Sequence, residues 1–215
     1  LPNLQSIPGS KTGWGDMDFV RDYGMSGGIG QLRGQGVPVI GRSGGFQMLG
    51  KTIRDPHGVE SGMTDVKGLC LLDMETVLLQ EKRTQQSSLA LAHAAKKGML
   101  RGTQGMRLKG YEIHMGETRG PAMQNPLGLF DGACAEGAVN DDASLFGTYM
   151  HGLFDNLPFT VILLNNLLEA KGLPPLPETI HDYDNFRDRE YDRLADMVER
   201  HLDMHALESI IYGRR

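Results

Sequence analysis

A β-branched run, Val39–Ile40, enters Gly41-Arg42-Ser43-Gly44-Gly45, and a helix-compatible stretch containing Gln47 follows at once. Few backbones satisfy that order. The strand must become a helix within a few residues, and small residues on either side of position 43 let the chain fold that tightly while the Ser43 hydroxyl is pushed out at the top of a sheet. The pattern Gly-x-Ser-x-Gly is a nucleophile elbow, and it commits the chain to a sheet whose functional loops lie at the carboxyl ends of its strands.

The flanking sequence supplies such a sheet. Leu4–Ile7 and Val37–Ile40 are short apolar runs bounded by Gly and Pro, as parallel strands covered on both faces require. Between them "GDMDFVRDYGM" reads as a helix, giving a βαβ rhythm. Residues 68–79 and 109–118 alternate polar and apolar side chains in the manner of antiparallel strands, whereas 80–108 are polar and poorly patterned. "SLFGTYMHG" (144–152) is a last strand running into His151. A helix follows over 158–172 with Gly172 as its stop, then the Pro-rich "LPPLP", then one long amphipathic helix from Tyr183 to about Ile211. The expected class is α/β: an open, mostly parallel sheet flanked by helices, with some antiparallel strands. One domain over 1–172 is expected, with 173–215 a linker and C-terminal helix belonging to it.

Composition narrows the function. The chain has 215 residues, 40% of them hydrophobic, enough for one substantial core. A formal net charge of −5 without any Lys/Arg-rich run argues against nucleic acid or an anionic membrane as partner. No apolar stretch is long enough to span a bilayer, and a cytoplasmic location is expected. Cys70 and Cys134 lack metal-like spacing and read as two buried thiols. The chain opens at Leu1 close to a strand end, so its first strands are expected to be missing.

Three stretches end predicted strands on one sheet edge: "PGS" (8–10), the elbow, and "YMHG" (149–152). Together they would supply an attacking hydroxyl, a histidine base and backbone N–H groups for an oxyanion. A glycine-rich turn and a capped histidine account for the same residues without catalysis. In "GYEIHMG" the period of two places Glu112 and His114 on one face and Tyr111, Ile113 and Met115 on the other.

"PGSK" (8–11), "PVIGRSGGFQMLG" (38–50), "DPHGVE" (55–60), "GLCLLDMETV" (68–77), "GYEIHMGET" (110–118) and "GTYMHGLFDN" (147–156) occur in the order and approximate spacing of a known family. From about residue 7 to 170 the chain resembles the glutamine amidotransferase domain of cobyric acid synthase. That domain belongs to the cobyric and cobyrinic acid amidating branch of the class I, triad-type amidotransferases, with a flavodoxin-like fold. The resemblance implies release of ammonia from glutamine, with Ser43 at the nucleophile position and His151 as base. It implies oxyanion donors on the backbone of Gly44 and the loop around Gly9, and Gln47 holding the glutamine. Glu112 and His114 would flank the glutamine pocket; a structural pair on a solvated strand is the alternative. No cofactor or metal is implied in this domain. ATP and Mg are implied in an upstream portion similar to dethiobiotin synthetase, which would activate carboxylates of adenosylcobyrinic acid a,c-diamide in cobalamin biosynthesis.

Ser43 and Arg42 depart from that pattern, and Leu153 departs only from other class I enzymes, because the cobyric acid branch manages without a glutamate there, its nucleophile being a thiol. The family carries cysteine where this chain has Ser43, and a serine hydroxyl must lose its proton during attack whereas a thiol ionises beforehand. Many class I enzymes place a glutamate two residues after the histidine, where this chain has Leu153; Asp155 is the nearest substitute. Arg42 replaces a small or branched apolar residue, so either the elbow is unusually open or an acid lies beside the guanidinium. Weak or absent glutaminase activity follows. The rival readings are a catalytically silent scaffold and a serine hydrolase, the latter needing an acid such as Asp131 between Ser43 and His151. His201 and His205, at i and i+4 of the predicted long helix, are a remote metal candidate.

Overall fold

Two sheets share the strands; the elbow ends a strand of the first, and the helix that follows it touches strands of both. The computed structural model describes residues 4–9, 13–60, 64–92, 97–131, 133–177 and 183–213. In chain order the elements are β1 (Gln5–Ile7), α1 (Gly13–Asp22), α2 (Met25–Gly34), β2 (Val39–Arg42), α3 (Gly44–Met48), β3 (Thr52–Arg54), β4 (Asp65–Lys67), β5 (Glu75–Leu91) and β6 (Arg107–Arg119). Then follow β7 (Gly128–Phe130), β8 (Cys134–Glu136), β9 (Ala138–Val139), β10 (Leu145–Thr148), β11 (Met150–His151), α4 (Leu157–Glu169), α5 (Tyr183–His201) and α6 (Met204–Ile211).

The first sheet runs β1-β2-β10-β9, parallel across β1, β2 and β10, with β9 antiparallel at the edge. Register pairs Val39 with Leu145 and Ile40 with Phe146. Alternate residues therefore feed different cores: Val39 and Leu145 pack with Phe46, Ile53 and Leu78, while Ile40 and Phe146 pack with Leu89, Leu108, Phe159 and Leu163. Covering on both faces is why these strands are apolar without alternation.

The second sheet is mostly antiparallel, in the order β11-β6-β5-β3-β4, with β7 also on β5 and β8 on β7. Antiparallel pairing takes a larger share of the fold than the sequence pattern suggested. The 17-residue β5 extends through the poorly patterned residues 80–91, because much of the β5–β6 ribbon is exposed and has no buried face to impose a period of two. A register shift between Leu78 and Arg83 marks an irregularity in that ribbon.

Residues 68–74 are not strand. Leu69 N–H donates to the Met48 carbonyl at 2.8 Å, Cys70 to Gly50 at 2.9 Å, and Leu71 and Leu72 to Leu49 at 2.9 Å. A helix as short as α3 leaves its last carbonyls without intrahelical donors, and this segment supplies them. Both cysteines are exposed, not buried. The glycine-bearing stretch after Gly24 forms α2, a helix that the sequence pattern did not signal.

Helix α4 ends as expected: Gly172 has φ +66° and Leu173 N–H donates back to the Leu168 carbonyl at 3.0 Å. The chain divides into compact units at 176/177. In the second unit the predicted single helix is two, because Asp203 caps a new one by accepting the Ala206 N–H at 3.0 Å. His201 ends α5, its Nδ1 bonded to the Met197 carbonyl, and His205 lies in α6, so they do not share a helix face. Among the described residues no cluster of three metal-ligating side chains occurs.

Candidate functional site

Ser43 occupies the junction of β2 and α3 with φ 52° and ψ −118°, a region that L-residues rarely enter. Packing enforces this. A Cβ on Gly45 would fall 2.0 Å from the Ile7 carbonyl oxygen, and one on Gly9 would lie 2.6 Å from the Gly44 nitrogen and 2.8 Å from Ser43 Cβ. The Gly9 loop thus lies directly on the elbow, bringing Gly9, Ser43 and Gly44 together. Ser10 of that loop lies outside the described residues. The Ser43 N–H donates to the Thr148 carbonyl at 2.9 Å, fixing the elbow to the end of β10.

From Thr148 the chain crosses at Tyr149 into the second sheet, where His151 pairs with Tyr111 of β6. The two rings stack, centroids 5.0 Å apart and planes 11° from parallel. The Ile113 carbonyl accepts a hydrogen bond from the imidazole, while Nε2 is buried and has no hydrogen-bond partner among the described residues. That assigns the bonded proton to Nδ1 and leaves the Nε2 lone pair free. Burial pushes the His151 pKa below its ordinary value; the Ile113 bond opposes this, and the charges of Arg42 and His114 reinforce it.

The residues marked as departures can now be placed. Leu153 is buried in the core, and Asp155 turns its carboxylate toward Gly152. Among the described residues no carboxylate hydrogen-bonds His151, and the Ile113 carbonyl takes the orienting role. Arg42 is half-buried, its guanidinium 5.5 Å above the Phe154 ring. Among the described residues its Nε has no hydrogen-bond partner and no acid pairs with it, so the aromatic ring is the neighbour that faces its charge. Asp131 lies in the β7–β8 turn, where its carboxylate accepts the Ser88 N–H.

Gln47, one helical turn beyond Ser43, is buried. Its amide hydrogen-bonds the Tyr149 hydroxyl, and Gly116 approaches so closely that a Cβ there would be 2.5 Å from Nε2. Tyr149 shares a 2.6 Å hydrogen bond with Thr118, stacks on His114 at 3.8 Å and meets Phe46 edge-on at 5.1 Å. Burial pushes its pKa up to about 12, against the hydrogen bonds of Thr118, Gln47 and Thr76.

Glu112 and His114 do share a face of β6, the one opposite Tyr111. Their side chains are buried and hydrogen-bonded to each other; Gln85 donates to Glu112 at 2.8 Å, and His114 Nδ1 bonds the Gly116 carbonyl at 2.7 Å. They line a cavity of about 320 Å³ with Glu136 and Tyr149. The strand itself separates them from the ring of His151, and their link to the elbow runs through Tyr149 to Gln47. Glu136 and Tyr149 carried no sequence signal beyond position: an acid ending one short strand and an aromatic two residues before the histidine. Burial pushes the Glu136 carboxyl above the usual carboxylate range, opposed by hydrogen bonds from Thr148, Tyr149 and Gly137 and by the charge on His114.

Residues 2–159 match the profile of the CobB/CobQ-like glutamine amidotransferase domain. The chain belongs to this family. Its relatives include a cobyric acid synthase of Citrobacter koseri, 43% identical over 99% of this chain and 42% of that protein. Another is a cobyric acid synthase of Caldanaerobacter subterraneus, 40% identical over 95% of this chain and 41% of that protein. The chain thus spans about two-fifths of the length of these relatives. A crystal structure of a glutamine amidotransferase shares the fold, with a TM-score of 0.54 at 16% identity over 80% of each chain. The elbow, the histidine strand and the Gln47 network all fall within the family match.

Proposed function

We propose that this chain is the ammonia-supplying domain of a cobyric acid synthase. In this reading it releases ammonia from glutamine for amidation of carboxylates of adenosylcobyrinic acid a,c-diamide, with ATP and Mg held by an upstream portion of the protein. The reading is supported above all by Ser43, held strained at the elbow, beside a strand that delivers His151 with a free Nε2. Residue 43 attacks the glutamine carboxamide carbon, and backbone N–H groups of Gly44 and the Gly9 loop receive the oxyanion. His151 takes the hydroxyl proton and passes it to the departing nitrogen, so ammonia leaves and a γ-glutamyl ester remains for water to hydrolyse. Gln47 holds the substrate. Glu112 and His114 back this pocket through Tyr149. Among the described residues no helix is long and apolar enough to cross a membrane, and the proposed place of work is the cytoplasm.

The same geometry makes serine a poor nucleophile. Attack must create an imidazolium in a site where burial and the Arg42 charge both oppose it. A thiolate would already be ionised, and Arg42 would help to hold it so. The test compares glutamine affinity and glutaminase rate in the full-length protein with and without Ser43→Cys. Unchanged affinity with a rate raised by several orders of magnitude is expected. Equal rates would refute the proposal, and ester hydrolysis by the serine form alone would favour a hydrolase.

A further inference from the structure

The crossover at Tyr149 creates a hydrogen-bonding problem. Thr148 ends a strand of the first sheet and Met150 begins a strand of the second, so the N–H groups of Tyr149 and Met150 must be satisfied without a regular ladder along one strand. Glu136 and Thr148 supply both acceptors. The Tyr149 N–H donates to Glu136 Oε1 at 2.6 Å, the Met150 N–H donates to Thr148 Oγ1 at 2.9 Å, and the Thr148 hydroxyl donates to the same Glu136 oxygen. The Gly137 N–H adds a further bond to the carboxylate. Glu136 is 4% exposed and Thr148 fully buried, so water cannot replace any of these partners. Thr148 also accepts the Ser43 N–H through its carbonyl.

We infer that Glu136 is a positioning residue that sets His151 in register with Ser43. This rests on the reading of Ser43 and His151 given above. One carboxylate gathers the three donors at the place where the chain passes, with one residue between strands, from the sheet bearing the nucleophile to the strand bearing the base. An acceptor-only group suits that task; an amide would turn a donor toward one of the N–H groups. Its backbone is equally fixed, since Gly137 lies so close to β10 that a Cβ would be 2.5 Å from the Gly147 carbonyl oxygen.

The test uses the full-length protein carrying Ser43→Cys, with and without Glu136→Gln. It measures kcat and KM for glutamine and the pH dependence of alkylation of the introduced thiol by iodoacetamide. A base displaced by about 1 Å lowers kcat by about a hundredfold, because alignment rather than binding is lost, while KM stays within about threefold. The alkylation midpoint rises toward the ordinary thiol value of about 8.5, because the imidazole no longer holds the thiolate. A residue that only stabilised the fold would lower the melting temperature and leave that midpoint in place; this result, or an unchanged kcat, overturns the inference. If Glu136→Gln does not fold, Thr148→Val removes the hydroxyl donor and the Met150 acceptor while keeping Glu136. The same midpoint shift is then expected, and its absence is equally fatal. If the Ser43→Cys protein itself shows neither hydrolysis nor a lowered midpoint, the dyad reading fails and this inference with it; if that protein is active and only the Glu136 effect is missing, the inference alone fails.

Discussion

Replacing Ser43 by glycine should make the protein more stable while removing the proposed attacking group. The elbow holds Ser43 at φ 52°, ψ −118°, a conformation glycine adopts freely. A non-glycine residue in so sparsely populated a region costs roughly 1–3 kcal/mol. Against that relief stands the extra freedom glycine gives the unfolded chain, about 0.5–1 kcal/mol. The serine side chain makes no capping hydrogen bond to α3, so little else is lost. The balance, the first range less the second, spans about 0–2.5 kcal/mol and centres on a gain of about 1 kcal/mol. For a chain of this length the central value corresponds to a melting temperature about 2–4 °C higher. Thermal unfolding followed by circular dichroism reads the shift, with Ser43→Ala as the control: alanine keeps Cβ and hence the strain, so its melting temperature should stay near that of the parent. If the glycine variant melts no higher than the alanine variant, the elbow stores no strain and the steric account of the site is wrong.

Three further outcomes are expected. Tyr149→Phe keeps the His114 and Phe46 ring contacts but leaves Thr118 and Gln47 without the hydroxyl, costing about 1–3 kcal/mol in denaturant unfolding and weakening glutamine binding; an unchanged KM would separate Tyr149 from the pocket. Because His151 has a folded pKa below the unfolded value of about 6.5, the unfolded chain binds the proton more tightly, so this group costs no stability above that pH and a growing amount as pH falls below it. The acid limb of kcat/KM in the Ser43→Cys protein, which titrates the thiol–imidazole pair, should move upward with Arg42→Val because the guanidinium favours loss of the first proton, and a fixed limb would show that the guanidinium does not act on the pair. Gly45→Ala, which must displace the Ile7 carbonyl by more than a rotamer change allows, should give a protein that is largely insoluble or melts many degrees lower; a normal melting curve would contradict the packing of β1 on the elbow.

Features governed by local sterics could be read from the sequence. The Gly-x-Ser-x-Gly spacing is a statement about backbone clearance around position 43, so it announced the elbow, and period two alone placed Glu112 and His114 on a common face. The contacts that organise the rest of the site join separate strands. Glu136 meets Thr148 and Tyr149 only because β8, β9 and β10 fold back on one another, and a single sequence carries no mark of that meeting. The same limit hid the role of the Ile113 carbonyl, a backbone group with no residue-type signature. Residues 68–74 misled for a different reason: their apolar side chains serve a loop pressed on the end of α3, and burial without a ladder looks like a strand. The 80–91 stretch misled in the opposite sense, since an exposed ribbon can be a strand with no amphipathic signature.

Ser43 hangs on a sheet of four strands and His151 on one of seven, with a single residue between their hydrogen-bonded frames. Alignment of the two is therefore a property of a joint, not of either frame. Tyr111 and Ile113, which hold the imidazole, lie on β6, one half of the exposed ribbon, and Gly116 of the same strand packs against the Gln47 amide, so a push on that ribbon is felt by His151 and Gln47 through one strand.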